Sequence, residues 1–320
     1  MKNIERHLFS CPECLGELVL QDDDSESLCL DCPECIKSYP QKNSIFRFVP
    51  LNNYSDSFGY QWNKFRETQL DSHTGKSISE DRLSKIFNWK DDLKDKKVLE
   101  AGSGAGRFTE VLVRSAGALY SFDYSSAVEA NFINNKSAEN LNIFQGDIFK
   151  IPFRDNSFDY VLCLGVIQHT PNPREAFMSL KKKLKPGGSI FIDCYALKWH
   201  HYLQWKYVLR PLTKRMNQVL LFNIISILSP LMIPAVRLSK SIFGKVGSRI
   251  FPIVEYSELL LEKKINRDWS VLDTFDMYSP EHDHPQTLKE VRSWFGDEEF
   301  ENIEVWYGDN GVVAKADKRI

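Results

Sequence analysis

The sequence has no surplus of charge of either sign. Its 320 residues contain 41 Lys and Arg against 43 Asp and Glu, a formal net charge of −2. A chain with this balance lacks the basic character that drives general binding to nucleic acids and other polyanions. The first seven residues carry charged side chains instead of an apolar run, so we expect no secretory leader. A cytoplasmic protein without disulfides is the resulting expectation.

A glycine-rich stretch lacks the residues that two common phosphate-binding loops require. Residues 97–108 read KVLEAGSGAGRF, a short apolar run followed by alternating glycines. A dinucleotide loop needs glycine where Arg107 stands, and a phosphate loop needs a Gly-Lys-Ser/Thr ending. Glu100, at the end of the apolar run, repels anions and favours an ammonium group. The stretch therefore predicts a strand, a tight loop and a helix that bind a ligand with a cation and no phosphate.

Four further motifs follow this stretch in order. They are residues 118–123 (ALYSFD), 141–148 (LNIFQGDI), 157–165 (SFDYVLCLG) and 185–192 (KPGGSIFI). Together with the loop they resemble the class I S-adenosylmethionine-dependent methyltransferases of type 11, whose first motif reads acid-x-Gly-x-Gly-x-Gly. The resemblance covers residues 97–195. It implies an α/β, Rossmann-like fold with the seven-stranded class I sheet.

The resemblance also implies a cofactor site at the carboxyl edge of that sheet. A carboxylate at Asp123 can accept both ribose hydroxyls of S-adenosylmethionine, as an acid at this position does in nucleotide-binding folds. Asp147 is expected to face the adenine amino group, and Ile148 to supply backbone beside the ring. The expected cofactor contacts are Glu100, Gly102, Ser103, Gly104, Asp123, Tyr124, Asp147, Ile148 and Leu164.

Five of the seven cysteines lie within residues 11–35. The sequence CPEC at 11–14 is repeated at 32–35, and two such pairs at this interval are typical of a zinc site. Four thiolates complete the coordination of Zn²⁺, so we expect a closed, structural site in a module that resembles the zinc ribbons joined to methyltransferases. The expected ligands are Cys11, Cys14, Cys32 and Cys35. Cys29 is an alternative ligand, and a metal-free module with reduced thiols is the other interpretation.

Changes in composition divide the chain into five expected segments. They are a zinc-ribbon module (1–50), a linker and helical N-terminal cap (51–95), the cofactor-binding core (96–195), a helical insertion over the substrate (196–270), and a C-terminal loop, helix and edge strands (271–320). Residues 57–65 are rich in aromatic side chains. They are expected either to close over the cofactor or to pack the ribbon against the core.

The helical insertion contains an uncharged run, Met216 to Val236, with basic residues at each end. Its length is enough to span a bilayer, but Pro230 and Pro234 interrupt it. We interpret the insertion first as a helical cap over the substrate pocket. The alternatives are a pair of helices on a membrane surface and, last, a spanning helix.

Two groups of titratable residues are candidates for proton transfer. His169 follows the fourth strand of the core, at the edge where ligands of open α/β folds bind, and is the candidate catalytic base. Packing beside the cofactor is its alternative role. His282, Asp283 and His284 form a second group, for metal binding or proton relay, which more often would be a solvated loop.

The leading hypothesis is therefore a methyltransferase that acts on a small-molecule or lipid-linked biosynthetic intermediate. An RNA methyltransferase is the alternative, although residues 181–185 (KKKLK) are the one dense basic cluster. A non-catalytic adaptor that binds the cofactor for stability is a third hypothesis. The sequence does not indicate the methylated atom or the oligomeric state.

Overall fold

The computed structural model describes residues 6–22, 28–50, 56–198 and 204–320. Its centre is a mixed sheet whose core strands run in the order β7-β6-β5-β8-β9-β11-β10. These seven strands are β5 (Lys97–Ala101), β6 (Ala118–Asp123), β7 (Leu141–Gln145), β8 (Phe158–Leu164), β9 (Leu184–Cys194), β10 (Phe300–Gly308) and β11 (Gly311–Lys318). All pairs among β5 to β9 are parallel, whereas β11 is antiparallel to β9 and β10. The predicted class of fold is confirmed.

The cysteine-rich segment forms a small antiparallel sheet that extends this core. Its strands are β1 (Val19–Asp22), β2 (Leu28–Cys32), β3 (Lys37–Lys42) and β4 (Ile45–Arg47). β4 lies parallel to β7, with Phe46 opposite Phe144, so the sheet continues to 11 strands. Arg47 is buried and donates a 3.1 Å hydrogen bond to Gln145 Oε1 on β7. The cysteine-rich module is thus an extension of the central sheet and not a structurally separate domain.

Short helices connect the strands and cover both faces. They are α1 (Asp56–Lys64), α2 (Asp71–Thr74), α3 (Ile78–Ser84), α4 (Trp89–Asp92), α5 (Thr109–Leu112), α6 (Val128–Asn135), α7 (Pro173–Lys183) and α11 (Leu288–Arg292). The side chain of Asn172 caps α7 by accepting from Glu175 N, and Pro173 occupies the first turn, where no N–H is needed. Two apolar clusters result, and strand residues such as Tyr120 and Phe158 fill one of them.

Three further helices form the insertion: α8 (Trp205–Thr213), α9 (Gln218–Gly247) and α10 (Lys263–Tyr278). The insertion therefore extends beyond the expected boundary at residue 270, because the second half of α10 packs against α9. α9 continues through Pro230 and Pro234 and breaks at Gly244, where φ is +57° and ψ is −138°. Its Leu221, Phe222 and Ile225 pack against Phe275 and neighbouring apolar residues of α10. The stretch Gln218–Gly244 is long and apolar enough to cross a membrane, and 33% of its most apolar window is buried inside the protein.

Candidate active site

The glycine-rich loop joins β5 to α5 and exposes backbone at the carboxyl edge of the sheet. Gly102 and Gly106 have φ values of +75° and +89°, in the left-handed region that favours glycine. A Cβ on Gly102 would lie 2.3 Å from Val166 Cγ2, and one on Gly106 would lie 2.3 Å from Asn131 Oδ1. The loop can therefore close onto its neighbours only without side chains at these two positions.

Glu100 lies beneath this loop and not on the surface of the cavity described below. Its Oε2 accepts hydrogen bonds from Thr109 Oγ1 (2.5 Å) and Ser121 Oγ (2.8 Å). Its Oε1 has no hydrogen-bond partner among the described residues. Burial raises the pKa of Glu100 to about 7, against the lowering effect of these two hydrogen bonds. The carboxyl group holds the loop to the start of α5 and to β6.

Asp123 lies at the end of β6, directly across from the loop. Its Oδ2 accepts a 2.9 Å hydrogen bond from Gly104 N, and its Oδ1 accepts from the backbone and hydroxyl of Ser125. Burial raises the pKa of Asp123. Asp123 borders the cavity beside Gly104 and is the one of the three predicted carboxylates that lines it.

The remaining predicted contacts divide into two groups. Tyr124, Ile148 and Leu164 line the same cavity, together with the loop residues Gly102, Ser103 and Gly104. Asp147 does not line it; its Oδ1 accepts a 2.9 Å hydrogen bond from Phe149 N and so closes the turn after β7. Burial raises the pKa of Asp147. The structure therefore brings seven of the nine expected contacts together and leaves Glu100 and Asp147 behind the surface.

The cavity has a volume of about 440 Å³ and lies between the loop and the helical insertion. This volume falls in the range of about 300–1,000 Å³ typical of small-molecule and cofactor sites. Much of its wall comes from residues that sequence reasoning did not select. They include Arg107, Tyr195, Lys206, Asp273 and Asp276, whereas Phe58 and Trp62 belong to the aromatic stretch 57–65, which was expected to close over the cofactor or to pack the ribbon against the core. Three of these belong to the insertion, so the cavity has one wall from the core and one from the added helices.

Arg107, which replaces the third dinucleotide glycine, is a half-buried cation of this wall. Its Nε donates to Ser79 Oγ (3.2 Å) and its Nη1 donates to Gln69 Oε1 (2.8 Å), and both acceptors are uncharged. Burial and, to a smaller extent, the nearby Arg82 together lower the pKa of Arg107 to about 10. Its position directly after a glycine-rich loop was the available sequence signal for a cation that lines the cavity.

His169 is buried at the other side of the cavity. Its Nδ1 lies 3.1 Å from the carbonyl oxygen of His282, and its Nε2 has no hydrogen-bond partner among the described residues. The ring contacts Phe58 and is edge-on to Tyr195, with centroid distances of 5.1 and 5.3 Å. Burial lowers the pKa of His169 below the ordinary 6.5. A neutral ring with Nδ1–H donating to the carbonyl leaves Nε2 as the acceptor.

Buried polar groups surround His169. Tyr195 donates a 3.0 Å hydrogen bond to Asp276 Oδ2, and Lys206 Nζ forms a 2.7 Å ion pair with Asp283 Oδ1. Asp283 therefore neutralises a cavity lysine, and among the described residues the group at 282–284 is not part of a metal-binding cluster. Its neighbour His282 contributes its backbone oxygen to His169. Residues 282 and 283 of the second candidate group therefore help to position His169 and Lys206 in the cavity.

Asp273 connects the insertion to the glycine-rich loop. Its carboxylate accepts from Gln69 Nε2 (2.9 Å), Trp269 Nε1 (3.0 Å) and Tyr256 Oη. Burial raises the pKa of Asp273 to about 6. Since the same Gln69 accepts from Arg107, a continuous chain of hydrogen bonds links the two walls of the cavity.

The four predicted zinc ligands form one cluster. The Sγ atoms of Cys11, Cys14, Cys32 and Cys35 all lie within 4.8 Å of one another. A tetrahedral zinc ion with bonds of about 2.3 Å places its sulfur ligands roughly 3.8 Å apart, so the cluster fits the ion. The two closest pairs are Cys11 with Cys35 and Cys14 with Cys32, each at 3.4 Å. Cys29 is not part of the cluster; it lies on β2 opposite Pro40.

Comparison with known proteins identifies the class of the core. Residues 99–192 match the family described as "Methyltransferase domain". The match begins at Leu99 on β5 and ends at Ile192 on β9, and so contains the loop, Asp123 and His169. The chain carries a class I S-adenosylmethionine-dependent methyltransferase domain, as its motifs predicted.

Individual relatives match about a third of the chain. A tRNA U34 carboxymethyltransferase of Nautilia profundicola is 32% identical over 105 residues, which are 32% of this chain and 35% of the relative. A demethylmenaquinone methyltransferase of Staphylococcus aureus is 34% identical over 101 residues, 30% of this chain and 42% of the relative. The chain spans less than half the length of these curated relatives.

Among solved structures, phosphoethanolamine N-methyltransferase 1 of Haemonchus contortus, in complex with phosphoethanolamine and S-adenosylhomocysteine, matches with 23% identity. The match covers 47% of this chain and 34% of that chain, with a TM-score of 0.37.

Proposed function

We propose that the protein transfers the methyl group of S-adenosylmethionine to a small-molecule or lipid-linked acceptor. The enclosed cavity carries this proposal, because one wall is the glycine-rich loop and the opposite wall comes from the helical insertion. When bound, the cofactor supplies a methyl group that is already activated for direct displacement, so alignment accounts for most of the catalysis.

The core wall provides the groups that would hold the cofactor. Asp123 offers carboxylate oxygens to the ribose, and Ile148 and Leu164 offer apolar surface to the adenine. Arg107 is suited to the cofactor's carboxylate, because it borders the cavity and both of its hydrogen-bond acceptors are uncharged, although the carboxylates of Asp71 and Asp273 are near enough to raise its pKa. Glu100 supports the loop from below and raises the negative potential beneath it.

The part of the cavity around His169, where core and insertion meet, provides the groups that would act on the acceptor. Donation from Nδ1 to the His282 carbonyl fixes the tautomer of His169 and leaves Nε2 free to take a proton from an acceptor hydroxyl. The lowered pKa keeps the ring neutral near pH 7, which is the state that a base requires. We propose His169 as this base, with Tyr195 and Asp276 positioning the acceptor beside it.

The acceptor class can be tested with labelled cofactor. The full-length protein is incubated with methyl-tritiated S-adenosylmethionine and, in separate reactions, with a lipid extract, an aqueous small-molecule extract and total tRNA from the cells of origin. Label in the lipid or small-molecule fraction is the expected result, and its loss in a His169→Gln variant assigns it to this site. Label in tRNA alone would overturn the proposal.

An RNA acceptor is the second candidate, because several matching relatives are tRNA U34 carboxymethyltransferases. The dense basic cluster gives this candidate little support. Three of its four lysines form ion pairs: Lys181 with Glu299 (2.5 Å), Lys183 with Asp155 (2.8 Å) and Lys185 with Asp159 (2.7 Å). An RNA enzyme should bind total tRNA at low salt and lose it steeply as salt rises.

We also propose that the cysteine cluster holds a structural zinc ion, since its four sulfur atoms converge at the distances that a tetrahedral ion requires. We expect one zinc per chain by elemental analysis, and its loss in a Cys14→Ser variant. Cys29→Ser is the matched control and should keep the metal. Unchanged zinc in Cys14→Ser, or loss in Cys29→Ser, would contradict the assignment.

A further inference from the structure

One continuous part of the chain has a charge unlike the rest. Residues 194–254 contain nine Lys and Arg and no Asp or Glu, whereas the remainder carries 32 basic against 43 acidic residues. This part contains α8 and α9. Three of the nine basic residues, Lys206, Arg237 and Lys240, pair with acidic residues outside this part of the chain. The remaining positive charge, on a slightly acidic protein, is complementary to an anionic surface.

The outward face of α9 is apolar as well. Ile227 and Leu231, one turn apart, are 72% and 76% exposed. The other exposed apolar residues of this face are Val219, Leu220, Ile224, Leu228, Leu238 and Ile242. From Gln218 to Val236, a length of about 28 Å, the helix carries no charged side chain, although Asn223 is exposed within the stripe. Soluble surfaces rarely leave such a stripe uncovered.

The inner face of α9 shows how the helix would meet a membrane. Leu221, Phe222 and Ile225 are buried against α10, and Arg267 of α10 donates to Ser229 Oγ (3.3 Å). Arg237, near the far end, pairs with Glu255 at 2.8 Å. A spanning orientation would break these contacts, whereas a helix that lies along the surface keeps all of them.

α8 places this apolar surface beside the cavity. Its exposed side carries Trp205, Val208 and Leu212, at helical spacing, whereas Lys206 and Tyr207 line the cavity. Trp205 Nε1 also donates a 2.8 Å hydrogen bond to Ile250 O, which ties α8 to the segment after α9. A single helix, about 10 Å in diameter, therefore separates the outer surface from the proposed acceptor site.

We propose that the exposed face of α8 and α9 docks on an anionic membrane surface, with α9 parallel to the bilayer plane. The apolar stripe enters the boundary between headgroups and acyl chains, and Lys214, Arg215 and Arg249 contact the anionic headgroups. All three basic residues are exposed. This docking needs no methyl transfer; the further step, that the acceptor is lipid-linked and enters beside α8, rests on the function proposed above.

The experiment is co-sedimentation of the full-length protein with vesicles of phosphatidylcholine mixed with phosphatidylglycerol, and with vesicles of phosphatidylcholine alone. We expect preferential binding to the mixed vesicles and weaker binding at high salt. The Ile227→Gln/Leu231→Gln double variant should bind at least about tenfold more weakly. Ile133→Gln, an exposed helical isoleucine on α6, is the matched control and should bind as the unmodified protein does.

Three outcomes overturn the proposal. No binding to either vesicle is the first, and resistance of the bound protein to alkaline carbonate, which indicates a spanning helix, is the second. The third is a dimer in light scattering that the double variant dissociates, since the stripe then contacts a second copy. Calorimetry with S-adenosylhomocysteine on the same proteins separates this test from the proposed function, because the double variant should bind it normally even where vesicle binding is lost.

Discussion

The two walls of the cavity are built on different principles. The core wall presents backbone: glycines at positive φ, held from below by the buried Glu100 and from the side by Asp123. The insertion wall presents side chains, and buried ionisable groups such as Asp273 and Lys206 dominate it. A backbone surface suits a ligand that is the same in every related enzyme. A surface of side chains can acquire a different ligand specificity by substitution, without a change in the glycine-rich loop.

A bulky side chain in the glycine-rich loop should have the largest effect on cofactor binding. In Gly104→Val the side chain would extend beside the ring of Trp62, 3.3 Å from the added Cβ, and occupy ligand space. We expect the dissociation constant for S-adenosylhomocysteine to rise by at least about 100-fold, a loss of some 3 kcal/mol, measured by titration calorimetry. Gly75→Val is the control, because φ at Gly75 is +65° but no atom lies within 4 Å of its Cβ. Equal affinities in the two variants would contradict the loop assignment.

Removal of the proposed base, His169, should lower the turnover number and leave cofactor binding unchanged. We expect His169→Gln to reduce the turnover number by about 100-fold, in line with general base catalysis, with the cofactor dissociation constant unchanged. Since the pKa of His169 lies below 6.5, the rate should be level above pH 7 and fall as acid protonates Nε2. His284→Gln, an exposed neighbour, is the control. A variant that keeps full turnover would give His169 a packing role.

A smaller effect distinguishes two carboxylates of the core wall. Asp123 lines the cavity and Asp147 does not, so Asp123→Asn should weaken cofactor binding about tenfold, whereas Asp147→Asn should change it by less than about threefold. Both dissociation constants are measured with S-adenosylhomocysteine. Equal losses would show that the turn after β7 contributes to the ligand as much as β6 does.

The smallest effect on binding is expected for Glu100→Gln, which keeps the shape of the support beneath the loop. Its measurable consequence is on stability. The folded pKa of Glu100, about 7, is above the ordinary 4.5, so its contribution is present at low pH and is lost as pH rises through 7. The melting temperature of Glu100→Gln relative to the unmodified protein should therefore increase from pH 5 to pH 8. A constant difference would mean that the carboxyl is already ionised at pH 5.

The core wall could be predicted because its information is local. Alternating glycines, an acid at each strand end and short apolar runs determine the loop and the sheet, and the matching family confirms the methyltransferase class. The expectation that Asp147 lines the site also came from local sequence. The sequence does not show whether a carboxylate at the end of a strand lines the cavity or only accepts hydrogen bonds from the protein backbone. Asp123 does both, whereas Asp147 accepts from Phe149 N and does not line the cavity.

The insertion wall could not be predicted in the same way. Tyr195, Lys206, Asp273 and Asp276 follow no common spacing, and only the packing of α8 and α10 brings them to one cavity. The role of Asp283 is an example: the sequence indicates a polar loop, whereas the structure pairs it with a lysine 77 residues away. Such contacts depend on tertiary packing, which periodicity does not determine.

The pairing of β4 with β7 has a practical consequence for truncated proteins. Removal of residues 1–50 would leave the backbone of β7 unpaired along its whole outer side, and two of its residues are phenylalanine and isoleucine. Open strand edges of this kind recruit other chains. If a protein shortened in this way precipitates, the loss of the β4 pairing partner of β7 is a sufficient explanation. Such a result would be no evidence about the chemistry of the cavity.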